Sequence, residues 1–376
     1  MPAKGKTDIA GLDAFAIKTV ESRLFRIPLA EVLSDAGHGL HTHFEVVTCR
    51  IVCRDGLEGV GYTYTGGKGG SAIHAMLRDE IGPFLAGKDS TQVEALWEAQ
   101  RSALHYLGLG GITAFAIAAA DISLWDLRCK RADTPLWKIA GGHKDKVPCY
   151  RGLIDLGYSD DYLLERVSQE FAAGHTGIKL KVGRVDIDRD IARVKATRAQ
   201  IGRDAKLMAD ANYSWDAASA IRFAHGVEDC DLSWFEEPVP PDDMAAYAEV
   251  SRATRIPIAS GENWRTLTDF ELGIAQAGVT YLQPDCSNIG GITGWLQVAK
   301  LAQENEMPIA SHGMHELHVS LMASQPNAAM LEVHSFPIDA YTKSPLKIEN
   351  GIASAPQHPG IGVIFDDQLM APHLSS

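Results

Sequence analysis

Apolar and polar positions alternate along residues 17–27 (IKTVESRLFRI) and 43–64 (HFEVVTCRIVCRDGLEGVGYTY), the period of strands that bury one face. Asp55-Gly56 interrupts the second run and predicts a tight hairpin, since glycine supplies the positive φ such turns need. The period then lengthens. Residues 71–85 (SAIHAMLRDEIGPFL) are amphipathic at helical spacing, and 112–132 (ITAFAIAAADISLWDLRCKRA) are apolar enough for a buried helix with a charged end. Strands followed by helices predict an α+β unit over residues 1–145.

From Lys146 the pattern becomes strand, helix, strand, helix. Apolar runs at 148–153, 177–182, 206–211, 232–236, 256–261, 280–284, 307–311 and 330–334 predict eight strands. Helical patterns lie between them at 188–202, 217–229, 243–254 and 292–305. A spacing of roughly 20 to 30 residues leaves room for one helix on each return, so the expected fold class is α/β, a closed parallel barrel over residues 146–336. Pro257 and Pro308 sit at strand starts, where a missing N–H costs least. Residues 337–376 are turn-rich and are expected to leave the barrel and pack against the first unit.

Composition narrows the partners. The 376-residue chain is 45% hydrophobic and carries a formal net charge of −13, with no basic stripe to offset it, which argues against nucleic acid and for small molecules. An anionic substrate would then need local Lys, Arg or a metal ion. Six cysteines without a CxxC pair read as reduced, partly buried small residues, with a disulfide framework or zinc cluster not expected. No apolar run reaches signal-peptide or membrane-span length, so the expected address is the cytoplasm, with no membrane partner. A homo-oligomer is also expected.

The chemistry is concentrated where the apolar runs stop. Asp210, Glu236 and Glu262 each close a strand, 26 residues apart each time, so adjacent strand ends would bring three carboxylates together. Like charges about 4 Å apart repel by roughly 4 kcal/mol per pair at an effective dielectric of 20, so something positive must lie between them. An all-oxygen set suits Mg2+. Taken singly, each acid could instead cap a helix or face solvent. Lys179 and Lys181 alternate with Ile178, Leu180 and Val182 and so share one side of a strand. Outer barrel faces are covered by helices and want the aliphatic set, which turns the lysines inward. There, mutual repulsion is expected to pull one pKa down and make Lys181 a base. Asp285 and His312 end the next two strands, a pairing in which the carboxylate fixes the imidazole tautomer and raises its basicity. His315 and His318 compete with His312, but HGMHELH lacks the helical HExxH spacing of a zinc site. Glu332, on the last strand, could place a carboxylic acid or carboxylate beside the same cavity.

Together these residues resemble the enolase superfamily, in its mandelate racemase and muconate lactonizing branch, over nearly the whole chain. The KxK base motif matches Lys179 and Lys181, the DxN motif Asp210 and Asn212, EEP Glu236 to Pro238, GE Gly261 and Glu262, and the Asp-His dyad Asp285 and His312. Glu332 matches a glutamate that hydrogen-bonds a substrate carboxylate. The resemblance implies a modified (β/α)7β barrel with an N-terminal capping domain, completed by the C-terminal segment. It also implies Mg2+ held by Asp210, Glu236 and Glu262, and abstraction of the proton α to the carboxylate of a sugar acid through an enediolate. Lys181 and His312 would face each other across the substrate. Dehydration is the first expectation, with cycloisomerization of an anhydro sugar acid and racemization as alternatives. The stretches LSDAGHGLHTHFE, YTYTGGKGG and LEVHSFPIDAYTKSPL are similar to those of 3,6-anhydro-L-galactonate cycloisomerases and share features with talarate/galactarate dehydratases. The capping domain would close over the barrel through His38, His41, His43 and the Gly66–Gly70 run. His43 and Lys68 of that domain, with Asn212 and His315 of the barrel, are the candidate substrate contacts.

Overall fold

The computed structural model describes residues 14–375. The first 13 residues, over which the absence of a signal-length apolar run was read, lie outside them. Strands β1 (Ile17–Asp35), β2 (Gly39–Cys53) and β3 (Glu58–Thr65) form an antiparallel sheet in sequential order. The β2–β3 turn is the expected one: Gly56 adopts φ 85° and Asp55 accepts the Leu57 N–H. Helices α1 (Gly70–Met76), α2 (Val93–Leu104) and α3 (Ile112–Arg131) complete the capping unit. Helix α3 is buried along most of its length, as its apolar sequence demands.

Parallel strands β4 (Lys146–Gly152), β5 (Gly177–Lys181), β6 (Lys206–Asp210), β7 (Phe235–Glu236), β8 (Ile258–Ser260) and β9 (Tyr281–Leu282) pair in sequence. Helices α4 (Asp160–Ala172), α5 (Ile187–Ile201), α6 (Ala217–Gly226), α7 (Met244–Ala253) and α8 (Leu267–Leu272) return between them. Each starts where the sequence offers a short oxygen-bearing side chain: Ser159, Asp186, Asp216, Asp243 and Thr266 each accept a first-turn N–H. Helix α9 (Ile292–Glu304) is different. Its own flank is Gly291, and the carboxylate that accepts the Thr293 N–H, at 2.9 Å, is Asp121 on helix α3 of the capping unit.

The run at 307–311 does not form a full strand. Ile309 alone bridges to Leu282 on one side and Ala328 on the other, because Pro308 removes a ladder donor. That bridge still closes the ring. After helix α10 (His315–Ser324), strand β10 (Leu331–Val333) pairs with β4, giving eight strand positions and seven helices. No barrel helix follows β10. Residues Ile348–Glu349 (β11) and Ile352–Ser354 (β12) form a hairpin that adds antiparallel to β4. The chain then reaches the capping unit, where Ile361 donates to Asp126 and Leu374 bridges to Phe25.

The lower barrel is plugged by Tyr150, Met208, Trp234, Ala259 and Ala310, which form a small cluster apart from the main core. Side chains two residues further along these strands therefore stand above a dry floor.

Candidate active site

Asp210 and Glu236 are register partners on β6 and β7, and Lys181 on β5 is the register partner of Asp210. Glu262 follows β8 after Gly261. The ligand oxygens of Asp210, Glu236 and Glu262 all lie within 4.8 Å of one another, as the 26-residue spacing predicts. Lys179 points inward and is fully buried. Its Nζ donates to Glu236 and lies 3.0 Å from Glu332 and 3.6 Å from Asp210. Lys181 donates to Asp210 at 2.5 Å. Trp234 and Gln283 donate to the other oxygen of Glu236, at 2.9 and 2.7 Å.

The expected lowering of one lysine pKa is not found. Burial works toward it, but carboxylates outweigh it at both lysines: Glu236, Glu332 and Asp210 around Lys179, and Asp210, Glu262 and Asp35 around Lys181, where the neighbouring ammonium also opposes them, so both are held above their ordinary value. Burial likewise pushes on Glu332, but Lys179 keeps it ionised, so it is a carboxylate and not the acid that was one of its two readings. There is room for it only because Gly152 is glycine: a Cβ there would lie 2.1 Å from Glu332 Oε1.

The dyad forms as expected. His312 Nδ1 lies 2.8 Å from Asp285 Oδ2, and His312 Nε2 lies 3.3 Å from Glu262. Burial lowers the His312 pKa, but Glu262 and Asp285 outweigh it and raise it to about 10. His318, two turns of sequence away from any zinc role, staples the two loops together. Its Nδ1–H donates to the Gly313 carbonyl at 2.7 Å while its Nε2 accepts the Cys286 N–H at 3.2 Å. Gly313 has φ 58°, and a Cβ there would lie 2.1 Å from the Tyr64 hydroxyl, so cap and barrel meet too closely for any other residue. The Tyr64 hydroxyl donates to Asp285 at 3.0 Å.

Around the ring the acids occupy the third, fourth and fifth strand positions. Lys181 stands on one side of them and the Asp285–His312 pair on the other. Above lies a cavity of about 520 Å3, closed by the capping unit. Lys181, Glu262, Asp285 and His312 open onto it, as do the predicted contacts Lys68 and Asn212. His43 and His315 do not. His43 packs outside, with its ring against Gly67 and Thr42; on a regular strand residues 41 and 43 would share a face, but β1 carries a register shift opposite them, between Pro28 and Leu33, and His41 alone of the two lines the cavity. His315 opens helix α10 and is buried beneath the cavity, with Nε2 3.1 Å from Asp339.

Asp35, Tyr64 and His334 line the cavity and carry no role in the sequence reading. The signal for His334 was its spacing of two from Glu332, which puts both on one face of a strand. Asp35 organises the lid: it accepts from the His38 backbone at 2.5 Å and from His41 Nε2 at 2.8 Å. Burial would raise its pKa, yet the bonds from His38 and His41 hold it well below the carboxylate range.

Two buried oxygens at the rim, Glu262 Oε2 and Asn212 Oδ1, accept no hydrogen bond. With three convergent carboxylates they form a hard, all-oxygen donor set that fits Mg2+. Asn212, Glu237 and Met314, each just past a strand end, hold φ near 40°, strained backbone of the kind found where geometry serves a site.

Family comparisons agree with this geometry. Residues 28–141 match the mandelate racemase / muconate lactonizing enzyme N-terminal domain, and 163–369 match the enolase C-terminal domain-like family. A 3,6-anhydro-alpha-L-galactonate cycloisomerase from Streptomyces coelicolor is 43% identical over 93% of this chain and 97% of its own length. The L-talarate/galactarate dehydratase of Salmonella typhimurium is 33% identical over 94% of this chain and 89% of its own. The crystal structure of a racemase from Streptomyces coelicolor with bound magnesium superposes with a TM-score of 0.93 at 42% identity, covering 96% of this chain and 100% of that one. The chain thus belongs to the mandelate racemase and muconate lactonizing branch of the enolase superfamily, as an enzyme of the kind that includes sugar-acid dehydratases and cycloisomerases.

Proposed function

We propose that this enzyme removes the proton α to the carboxylate of a sugar acid and expels the oxygen on the β-carbon, and that this oxygen is the ring ether of a 3,6-anhydro acid. The observation that carries the first half is the order of groups around the rim. A carboxylate oriented over Asp210, Glu236 and Glu262 presents its α-carbon between Lys181 and His312. Asp210, Glu236 and Glu262 would hold Mg2+, which when bound would supply positive charge to offset the second negative charge on the substrate carboxyl group. Lys179 adds a fixed positive charge beside it. Glu332, ionised, holds the Gly313 backbone and Lys179 in place.

In the reaction the α C–H bond and the β C–O bond break, the leaving oxygen takes up a proton, and the enol becomes a ketone. With a ring ether the formula is conserved; with a hydroxyl, water leaves. Lys181 is the proposed base, since Asp210 and Glu262, the carboxylates that hold it charged in the metal-free site, would be taken up by the bound metal, and His312, paired with Asp285 at 2.8 Å, is the proposed acid toward the leaving oxygen. The 43% identity to an anhydro-galactonate cycloisomerase, against 33% to a dehydratase, supports preferring ring opening to the dehydration that the sequence favoured. Open-chain dehydration stays as the second reading because Lys68, an exposed cation at the cavity mouth, suits a second carboxylate.

The test is proton NMR in D2O with Mg2+, offering 3,6-anhydro-L-galactonate beside galactarate, talarate and a panel of aldonates. Conversion of the anhydro acid to a 2-keto-3-deoxy acid supports ring opening. Consumption of open-chain acids alone transfers the function to the second reading, and exchange at the α-carbon without product points to racemization.

A further inference from the structure

His334 follows Glu332 by two residues at the end of β10, so both side chains face the barrel mouth. It is buried yet opens onto the cavity, with its ring centroid 5.5 Å from that of His312. Donor or acceptor atoms of His312, Glu332 and His334 all lie within 4.8 Å of one another. Nothing in the chemistry described above uses it.

Its tautomer is fixed by backbone. The Phe336 N–H donates to His334 Nδ1 at 3.1 Å, and a ring nitrogen that accepts carries no proton. The proton of the neutral ring is therefore on Nε2, for which the described residues offer no hydrogen-bond partner. The ring is also held in place from behind: the His334 N–H donates to His315 Nδ1 at 3.2 Å, and His315 Nε2 faces Asp339 at 3.1 Å. Phe336 packs edge-on at 4.8 Å. A second charge is disfavoured, since burial and the cations His312, Lys181 and Lys179 outweigh Glu332 and keep the ring neutral. This accounts for His315, which buttresses the ring rather than touching substrate.

We infer that His334 is a further substrate-binding group, a neutral imidazole that donates its Nε2–H to the oxygen leaving the β-carbon, beside the His312 that supplies the proton. The inference rests on the β-elimination proposed above. A neutral donor suits an oxygen that only accepts, such as a ring ether, and it stabilises the negative charge that grows there as the C–O bond breaks. Because it does not touch the acid triad, it contributes to bond cleavage and not to removal of the α-proton.

The test compares two rates on magnesium-loaded enzyme in D2O. His334→Phe is expected to slow product formation by about 100-fold, the typical loss of one such donor, while the recovered substrate still gains deuterium at the α-carbon. His334→Gln, which offers an N–H at similar reach, is expected to recover product formation to within about tenfold of the parent. Equal loss of exchange and product in both variants would overturn the inference. A readout independent of activity is 15N NMR of histidine-labelled holoenzyme, with the His334 signals assigned by their loss in His334→Gln. The Nε2–H neutral tautomer is expected at neutral pH; a charged ring or the Nδ1–H tautomer defeats the inference even if both variants fold poorly. Should the parent convert only open-chain acids, the functional reading falls, and the same rate comparison is made on the acid that is converted.

Discussion

The two walls of the cavity are built differently. The barrel wall is a set of strand ends where Lys181, Glu262, Asp285 and His312 line the cavity; behind that lining Lys179, Asp210, Glu236 and Glu332 are all but completely buried, and each of their charged atoms is met by an opposite charge or a donor. The cap wall is a turn and a glycine-rich run, in which His38, Gly66 and Lys68 are exposed while Asp35 and His41 are buried. Strand ends cannot move without breaking the barrel ladder, whereas a turn can, so chemistry sits on the first wall and substrate choice is expected on the second. Hydrogen bonds tie the capping unit to the barrel, among them Tyr64 to Asp285, Trp97 to the Gly290 carbonyl and Asp121 to Thr293.

The largest effects should come from the barrel wall. Lys181→Met or His312→Asn is expected to lower kcat by about 10^2 to 10^4, the usual contribution of a general base or acid, without unfolding the protein. Full turnover by either variant would remove its residue from the proposed role. Next comes the metal. Adding Mg2+ to chelated protein is expected to raise Tm, by about 2.7 kcal/mol of stabilisation at 100 times Kd, and Glu262→Gln is expected to remove most of that gain. If calorimetry shows the same Mg2+ response in Glu262→Gln, the acid triad is not the site.

A smaller effect is expected on the cap wall. Lys68→Ala should raise KM by about tenfold with kcat nearly unchanged, the mark of lost uniform binding, while His43→Ala leaves both within about twofold. An equal response of the two variants would erase the distinction between the cavity face and the outer face of this lid. The smallest effect concerns one of the ties between walls. Burial pushes Asp121 up from 3.8 to about 7, so the folded state holds its proton more tightly than the unfolded chain. Its contribution is complete below the unfolded value and is lost as pH rises through about 7. Asp121→Asn keeps an acceptor for Thr293 and removes the charge. It is expected to flatten the fall in stability, read from the denaturation midpoint, between about pH 4 and 7. Parallel profiles for parent and variant would show that Asp121 does not titrate there.

Much of the barrel wall was legible in the chain. A parallel strand exposes its last residue at a rim, so a charged residue that stops an apolar run marks that rim, and equal spacing of three acids marks adjacent strands. Period two then separated Lys179 and Lys181 from their aliphatic neighbours. The cap wall was less legible because a turn has no period. Nothing in LSDAGHGLHTH says that β2 gives His41 the cavity and His43 the outside, since that depends on the register with β1 and the seat of the sheet on the barrel. The stretch at 307–311 was read as a full strand because its apolar run ignores what Pro308 takes from the ladder.

The order of groups around the rim, and with it the chemistry proposed there, follows from sequence alone, because neighbours in the chain become neighbours in a barrel. Protonation does not. Two lysines on one strand repel in isolation, and only the packed structure shows that carboxylates from β6, β7 and β10 surround them and reverse the sign. The tautomer of His334 is likewise decided by a backbone N–H two residues on, and its position by a histidine 19 residues back. Charge interactions at a few ångströms depend on distances that folding sets, and no spacing in the chain encodes them.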